Sequence, residues 1–325
     1  MRLVIALCFL ASALCCKAET ISFGSGASQF TMDFVEVGNP GNAAATYHTW
    51  SNSVGRVDTV YKIGKYEVTR DQFEKAGLGL SLANLSSYGG NDPAKPATGM
   101  NWFKAAQFVN YLNVSQGYTA AYKFDVNGSF QLWSPTDAGY NAANKYRNTL
   151  AGFFLPNMDE WFKAGYYDPT KTAHPVFGKY WGYANQSDTL PTAVANGVSQ
   201  ESAVYGQTFS NGPAVVDNAG GLSYYGTMAQ MGNVAEWLEN AYDRVNDNVD
   251  DYRVMRGGDW GNGTGSISWD AVNSVKPDLD PQLYTSVRDQ TTIGFRVVMI
   301  PEPSALSLLL TSGLVLILRH RKQLK

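Results

Sequence analysis

The sequence predicts an irregular, loop-rich α+β fold in a single domain. Three observations carry this. Short strands near the start of the chain show apolar–polar alternation. Three short stretches combine helix caps or stops with apolar spacing of helical period. Between them run long polar stretches rich in Gly and Asn yet studded with aromatics, which read as ordered loops rather than flexible linkers. The 32 Gly, 19 Tyr, 15 Phe and 8 Trp, against 16% charged residues, suit such a domain better than a helical bundle.

Phe30 to Val37 alternates and reads as a strand. Thr59 to Ile63 reads as another, with Tyr66 to Val68 continuing it after Gly64. Thr69 is an expected helix N-cap, with Gln72 completing a capping box and Gly77 as the stop. A second helix is expected from Trp102 to Leu112, presenting Trp102, Ala105, Ala106, Val109 and Leu112 on one face. A third starts after Asn157, with Glu160 completing its capping box and Gly165 ending it. The polar stretches Ser86 to Thr98, Asp125 to Asn148 and Ser187 to Ser210 are expected as loops packed by residues such as Trp133, Tyr140, Tyr180 and Trp181.

The two ends read as addresses. Arg2, the apolar run Leu3 to Leu14 and Cys16-Lys17-Ala18 form a secretory signal, residues 1–18, with the mature start at Glu19. An N-terminal membrane anchor is the competing reading, but the run is shorter than the roughly 20 apolar residues of a span. All 3 cysteines, Cys8, Cys15 and Cys16, fall inside this signal, so residues 19–325 hold no disulfide, thiolate metal site or cysteine nucleophile. Residues 19–300 carry 19 Lys and Arg against 27 Asp and Glu, a net charge of −8. An acidic, sparsely charged domain is not a nucleic-acid binder.

Pro301-Glu302-Pro303 precedes an uncharged, mostly apolar stretch, Ser304 to Leu318, and a basic end with Arg319, Arg321, Lys322 and Lys325. As a helix that stretch rises about 22 Å, short of a hydrocarbon core of roughly 30 Å. Residues 301–325 resemble the PEP-CTERM sorting signal of Gram-negative bacteria. The resemblance implies transient membrane anchoring, a membrane sorting protease acting on the tail, and release to the cell surface or extracellular matrix. A plain C-terminal membrane helix is the alternative.

Five segments in order across residues 28–300 resemble the sulfatase-modifying-factor domain, the family of formylglycine-generating enzyme. They are Gly64-Lys65-Tyr66-Glu67-Val68-Thr69, the stretch around Asn101-Trp102-Phe103-Lys104-Ala105-Ala106, and Phe154-Leu155-Pro156-Asn157-Met158-Asp159-Glu160-Trp161. Gly232-Asn233-Val234-Ala235-Glu236-Trp237 is the fourth. Arg256-Gly257-Gly258-Asp259-Trp260, answered by Ile293-Gly294-Phe295-Arg296, is the fifth. The resemblance implies one domain, residues 19–300, related to the C-type lectin fold.

It also implies a reaction that the residues deny. The family oxidises a substrate cysteine with copper held by two cysteines, and the corresponding places fall near Asn262 and Ile267. Neither supplies a thiolate, so copper is not expected. His48 and His174, the only histidines between the two end signals, have no ligand spacing. Calcium is the one metal the resemblance leaves, held at Gly232, Val234 and Glu236, with Asn185 matching a second site. Ala229 stands where the family has an Asp or Asn ligand.

The expected function is a non-catalytic binding or structural module sorted to the surface or matrix, contacting exopolysaccharide or a surface protein. The alternative is an enzyme with a site rebuilt from residues such as Asp259, Glu236, Arg256 and Arg288.

Overall fold

A computed structural model describes residues 18–46, 53–80, 88–175, 177–278 and 291–300. The expectations for residues 1–17, His48, Arg288 and the tail 301–325 lie outside these described residues. Among the described residues no helix is long and apolar enough to cross a membrane.

Two sheets and three helices carry the fold. In chain order the elements are β1 (Glu19–Phe23), β2 (Phe30–Val37), β3 (Tyr61–Gly64), α1 (Arg70–Lys75), α2 (Trp102–Ser115), β4 (Lys123–Phe124), β5 (Phe130–Gln131), β6 (Phe153–Phe154) and α3 (Met158–Tyr166). There follow β7 (Thr192–Ala193), β8 (Ser202–Ala203), β9 (Ala235–Ala241), β10 (Arg253–Arg256), β11 (Asn273–Val275), β12 (Ile293–Gly294) and β13 (Val298–Met299). The first sheet has the order β1-β2-β3-β13-β6, so β13 returns from the far end of the chain to sit between β3 and β6. Val298 pairs with Ile63 on one side and Phe154 on the other. The second sheet runs β11-β10-β9-β12, with β12 parallel to β9 through Ile293–Ala235 and Gly294–Glu236.

The caps form as the sequence predicts. Thr69 and Asn157 each accept from the amide three residues on, while Gln72 and Glu160 reach back to the cap amides. The five predicted α2 residues are buried, joined by Phe108 and Asn113. Asn113 keeps its place in the core because it donates to Val109 O and Phe153 O and accepts from Gly152 N and Phe153 N.

Several boundaries differ, and α2 runs on to Ser115, three residues past Leu112. The strand at 59–63 starts at Tyr61, and Tyr66–Val68 is not a strand. There Val68 N turns to Phe295 O, and Glu67 turns inward to Asn233. Gly165 does not end α3, which runs to Tyr166. A Cβ at Gly165 would lie 3.2 Å from the Gln230 side chain, so this glycine permits close packing rather than a stop.

The loops are pinned by aromatics and their polar ends. Tyr180 OH bonds Asn42 Nδ2 at 2.8 Å and Gly55 O at 2.9 Å. Trp133 Nε1 donates to Ala121 O, and Trp181 Nε1 to Asp168 Oδ2. The acidic stretch 243–251 is a loop joining β9 to β10, in which Asp243 and Asn248 accept from amides two residues on.

Replacing Asn157 by Ala removes one half of the α3 cap. Denaturant unfolding should show a loss of about 1 kcal/mol.

Candidate functional site

β10 ends at Arg256, and the chain then turns through Gly257 and Gly258 at φ 96° and 68°. A side chain at Gly258 would meet Ser266 O at 2.8 Å, so the turn needs glycine for both conformation and space. Beyond it Trp260 plugs the core, fully buried, with Nε1 donating to Phe209 O. Asp259 is thereby held at the mouth. Its Oδ1 accepts from Gly261 N at 2.9 Å and its Oδ2 from Thr292 Oγ1 at 2.7 Å.

These residues border a cavity of about 240 Å³ lined chiefly by Arg256, Asp259, Asn262, Ser266, Asn273 and Thr292. Ala235 and Met255 supply its small apolar part. A neighbouring hollow of about 340 Å³ shares Ser266, Ala271 and Asn273 with it and adds Ser268 and Asp270. The two lie side by side against these shared residues, a polar groove in two parts.

The groove separates residues that the sequence grouped together. Of the two places matching the family's cysteines, Asn262 lines the cavity, whereas Ile267 is fully buried in the core with Phe162 and Trp269. Of the residues weighed for a rebuilt site, Arg256 and Asp259 meet at the cavity and Glu236 does not.

Glu236 lies on β9 and faces Arg296. Arg296 Nε donates to Oε2 at 2.7 Å and Nη2 to Oε1 at 2.6 Å, while Trp161 Nε1 donates to Oε2 at 2.8 Å. Both charged side chains are fully buried. The expected calcium donors do not fit an ion here. The carboxylate is committed to a guanidinium that an ion would have to displace, and Ala229, at φ 63°, offers no side-chain donor. Gly232 holds a turn at φ 79°, its amide on Gly257 O, and Val234 N reaches Glu67 Oε1 at 3.3 Å. Asn185 lies in the Tyr183–Ser187 turn and meets Gln200. His174 is exposed and stacks on Phe177. Among the described residues no three His, Cys, Asp or Glu form a metal-binding group.

Glu67 is the second buried carboxyl of this region. Burial, then the charge of Glu236, push it well above the usual glutamate range. Asn233 Nδ2 donates to it at 2.8 Å.

Sequence reasoning missed Asn273 and Ser266, which carry no motif, and Thr292, whose only signal is its place just before Ile293-Gly294-Phe295-Arg296. It also missed Arg296 as the partner of Glu236, although that arginine ends a segment the sequence singles out.

The family model described as "Sulfatase-modifying factor enzyme 1-like domain" matches residues 28–300. No curated protein matches the chain. Among solved structures, the Treponema denticola variable protein 1 is similar with a TM-score of 0.56 at 18% identity, covering 87% of this chain and 99% of that one. The structure titled "Crystal Structure of CarF" gives a TM-score of 0.52 at 18% identity, covering 83% of this chain and 99% of that one. At these identities the likeness concerns the fold alone.

Two outcomes follow from the buried charges. Arg296→Met leaves Glu236 buried without its cation and should cost about 3–5 kcal/mol in denaturant unfolding. Glu67 ionises less readily folded than unfolded, so the folded state holds the extra proton. The stabilisation is full at acid pH and is lost as pH rises past the ordinary value of 4.5 toward the raised one. Glu67→Gln should flatten the fall in thermal stability above that pH. An unchanged slope would show that Glu67 does not titrate there.

Proposed function

The chain belongs to the sulfatase-modifying factor enzyme 1-like family, matched over residues 28–300, and from that premise we propose that it is a non-catalytic binding module sorted to the cell surface or extracellular matrix. In this reading residues 19–300 form a single domain related to the C-type lectin fold, and residues 1–18 and 301–325 are the export and sorting signals. A membrane protease acts on the tail after transient anchoring.

One observation carries the reading. Asn262, one of the two places matched to the family's cysteines, borders a cavity lined by amides and hydroxyls: Asn262, Ser266, Asn273 and Thr292, beside Asp259. These groups donate and accept hydrogen bonds but supply no thiolate and no redox centre. Their chemistry suits a hydroxylated ligand, and the adjoining hollow suits a polymer rather than a single small molecule. Exopolysaccharide fits both the groove and the proposed address.

An enzyme with a rebuilt site is supported by Arg256, Asp259 and Thr292 meeting at the same cavity. Asp259 accepts from Gly261 N and Thr292 Oγ1, which orients it and sets a carboxylate beside a hydroxyl, the pairing this alternative would use.

Binding of the mature protein to exopolysaccharide from its own cells tests the proposal. Ser266→Trp, which fills the junction of the two hollows, should weaken binding at least about tenfold (~1.4 kcal/mol) with thermal stability retained. In parallel, a cysteine peptide incubated with the protein and copper should remain unconverted by mass spectrometry. Formylglycine production, or no binding to the polymer, would sink the reading.

A further inference from the structure

We propose that the carboxamide of Gln200 occupies the place of a metal ion in the loop around Asn185, so that this loop is closed without calcium. The resemblance implies a calcium site at Asn185, and the groups around that residue do not fit an ion.

Three segments converge there. Gln200 Nε2 donates to Asn185 O and to Leu222 O, each at 2.7 Å. Gln200 Oε1 accepts from Leu222 N at 3.2 Å, and Gln200 O accepts from Asn185 Nδ2 at 2.8 Å. Gln186 Nε2 adds a bond to Leu222 O at 3.1 Å. The approach is close enough that a Cβ on Gly221 would lie 2.3 Å from Gln200 O, so this position requires glycine.

Two main-chain carbonyls aimed at one point repel each other unless something positive stands between them. A calcium ion does this with oxygens at about 2.3–2.6 Å. Here one amide nitrogen with two protons stands at 2.7 Å from both oxygens. Ion and amide therefore exclude each other. Gln200 contributes a neutral donor where an ion site would need a carboxylate.

One atom marks what the exchange leaves over. Asn185 is 2% exposed, and its Oδ1 has no hydrogen-bond partner. A lone neutral oxygen does not hold calcium, but it would join a set rebuilt around it. The same logic appears at Glu236, where Arg296 supplies the positive charge.

Thermal unfolding of the full mature chain in millimolar calcium and in EGTA tests this. The wild-type Tm should be the same in both. Gln200→Ala should lower Tm by about 2–4 °C, equally in both buffers. Gln200→Glu has the same size but no donor. It should be destabilised in EGTA and recover with calcium, using its carboxylate, the two carbonyls and Asn185 Oδ1. A wild-type Tm that rises with calcium and loses that rise in Asn185→Ala overturns the proposal. So does a Gln200→Ala protein as stable as wild type, or a Gln200→Glu protein indifferent to calcium.

Discussion

Arg296 and Glu236 meet where the two sheets and the central loops come together, and the rest of the structure is arranged around their pairing. Two charges out of water cost several kcal/mol each unless every donor and acceptor is used. Arg296 meets that condition. Beyond its two bonds to Glu236 it donates to Gly64 O at the end of β3 and to Met228 O in the loop before β9. One side chain thus ties three distant segments to a carboxylate that also holds Trp161 of α3. Glu67 belongs to the same region, and its reluctance to ionise comes from its burial and then from the charge of Glu236, which the nearby arginine does not fully offset.

A second network repeats the pattern on the same strand. Glu239 is fully buried and accepts from Arg147 Nε, Tyr122 OH and Asn144 Nδ2. Arg147 continues to Glu160 in the α3 cap and to Leu155 O, with its guanidinium over the Phe154 ring. Burial works against its charge, but the carboxylates of Glu160 and then Glu239 outweigh it and hold the Arg147 pKa above the ordinary arginine value. A chain with so little regular structure still needs its loop backbone satisfied, and here fixed side chains do that work in place of sheet ladders.

What was legible in the sequence was local. The caps at Thr69 and Asn157 follow from residues three apart, and the α2 face follows from helical period. The alternation of Phe30 to Val37 gave β2 at its observed bounds. The errors were non-local. Tyr66 to Val68 has strand composition, but Phe295 and Asn233, both more than a hundred residues away, dictate its path. Gly165 reads as a helix stop until Gln230 is seen packed against it. For the site, the Arg256–Trp260 turn was marked by its paired glycines. Ser266 and Asn273 were not, because a serine or asparagine facing a cavity has the same local sequence as one facing solvent. Gln200 was invisible for the same reason: its partners are carbonyls, which leave no trace in a sequence.

Alternation along β9 explains how fold and groove can differ in their demands. Successive residues of a strand face opposite ways. Glu236 turns to Arg296, whereas its neighbour Ala235 contributes to the cavity wall. On the paired strand β12, Gly294 stands beside Glu236, and a Cβ there would press on Ala97 O and Val234 at 2.9 Å. Thr292, just before β12, holds Asp259 at the cavity. The structural residues are therefore constrained by charge and close contact on one side. The cavity residues border open space and are free to change chemistry. Position 262 holds an amide at the cavity, while position 267, inside the core, takes an apolar side chain. The absence of cysteine from residues 19–300 and the observed fold are thus compatible, since the Arg296–Glu236 pairing does not pass through the groove.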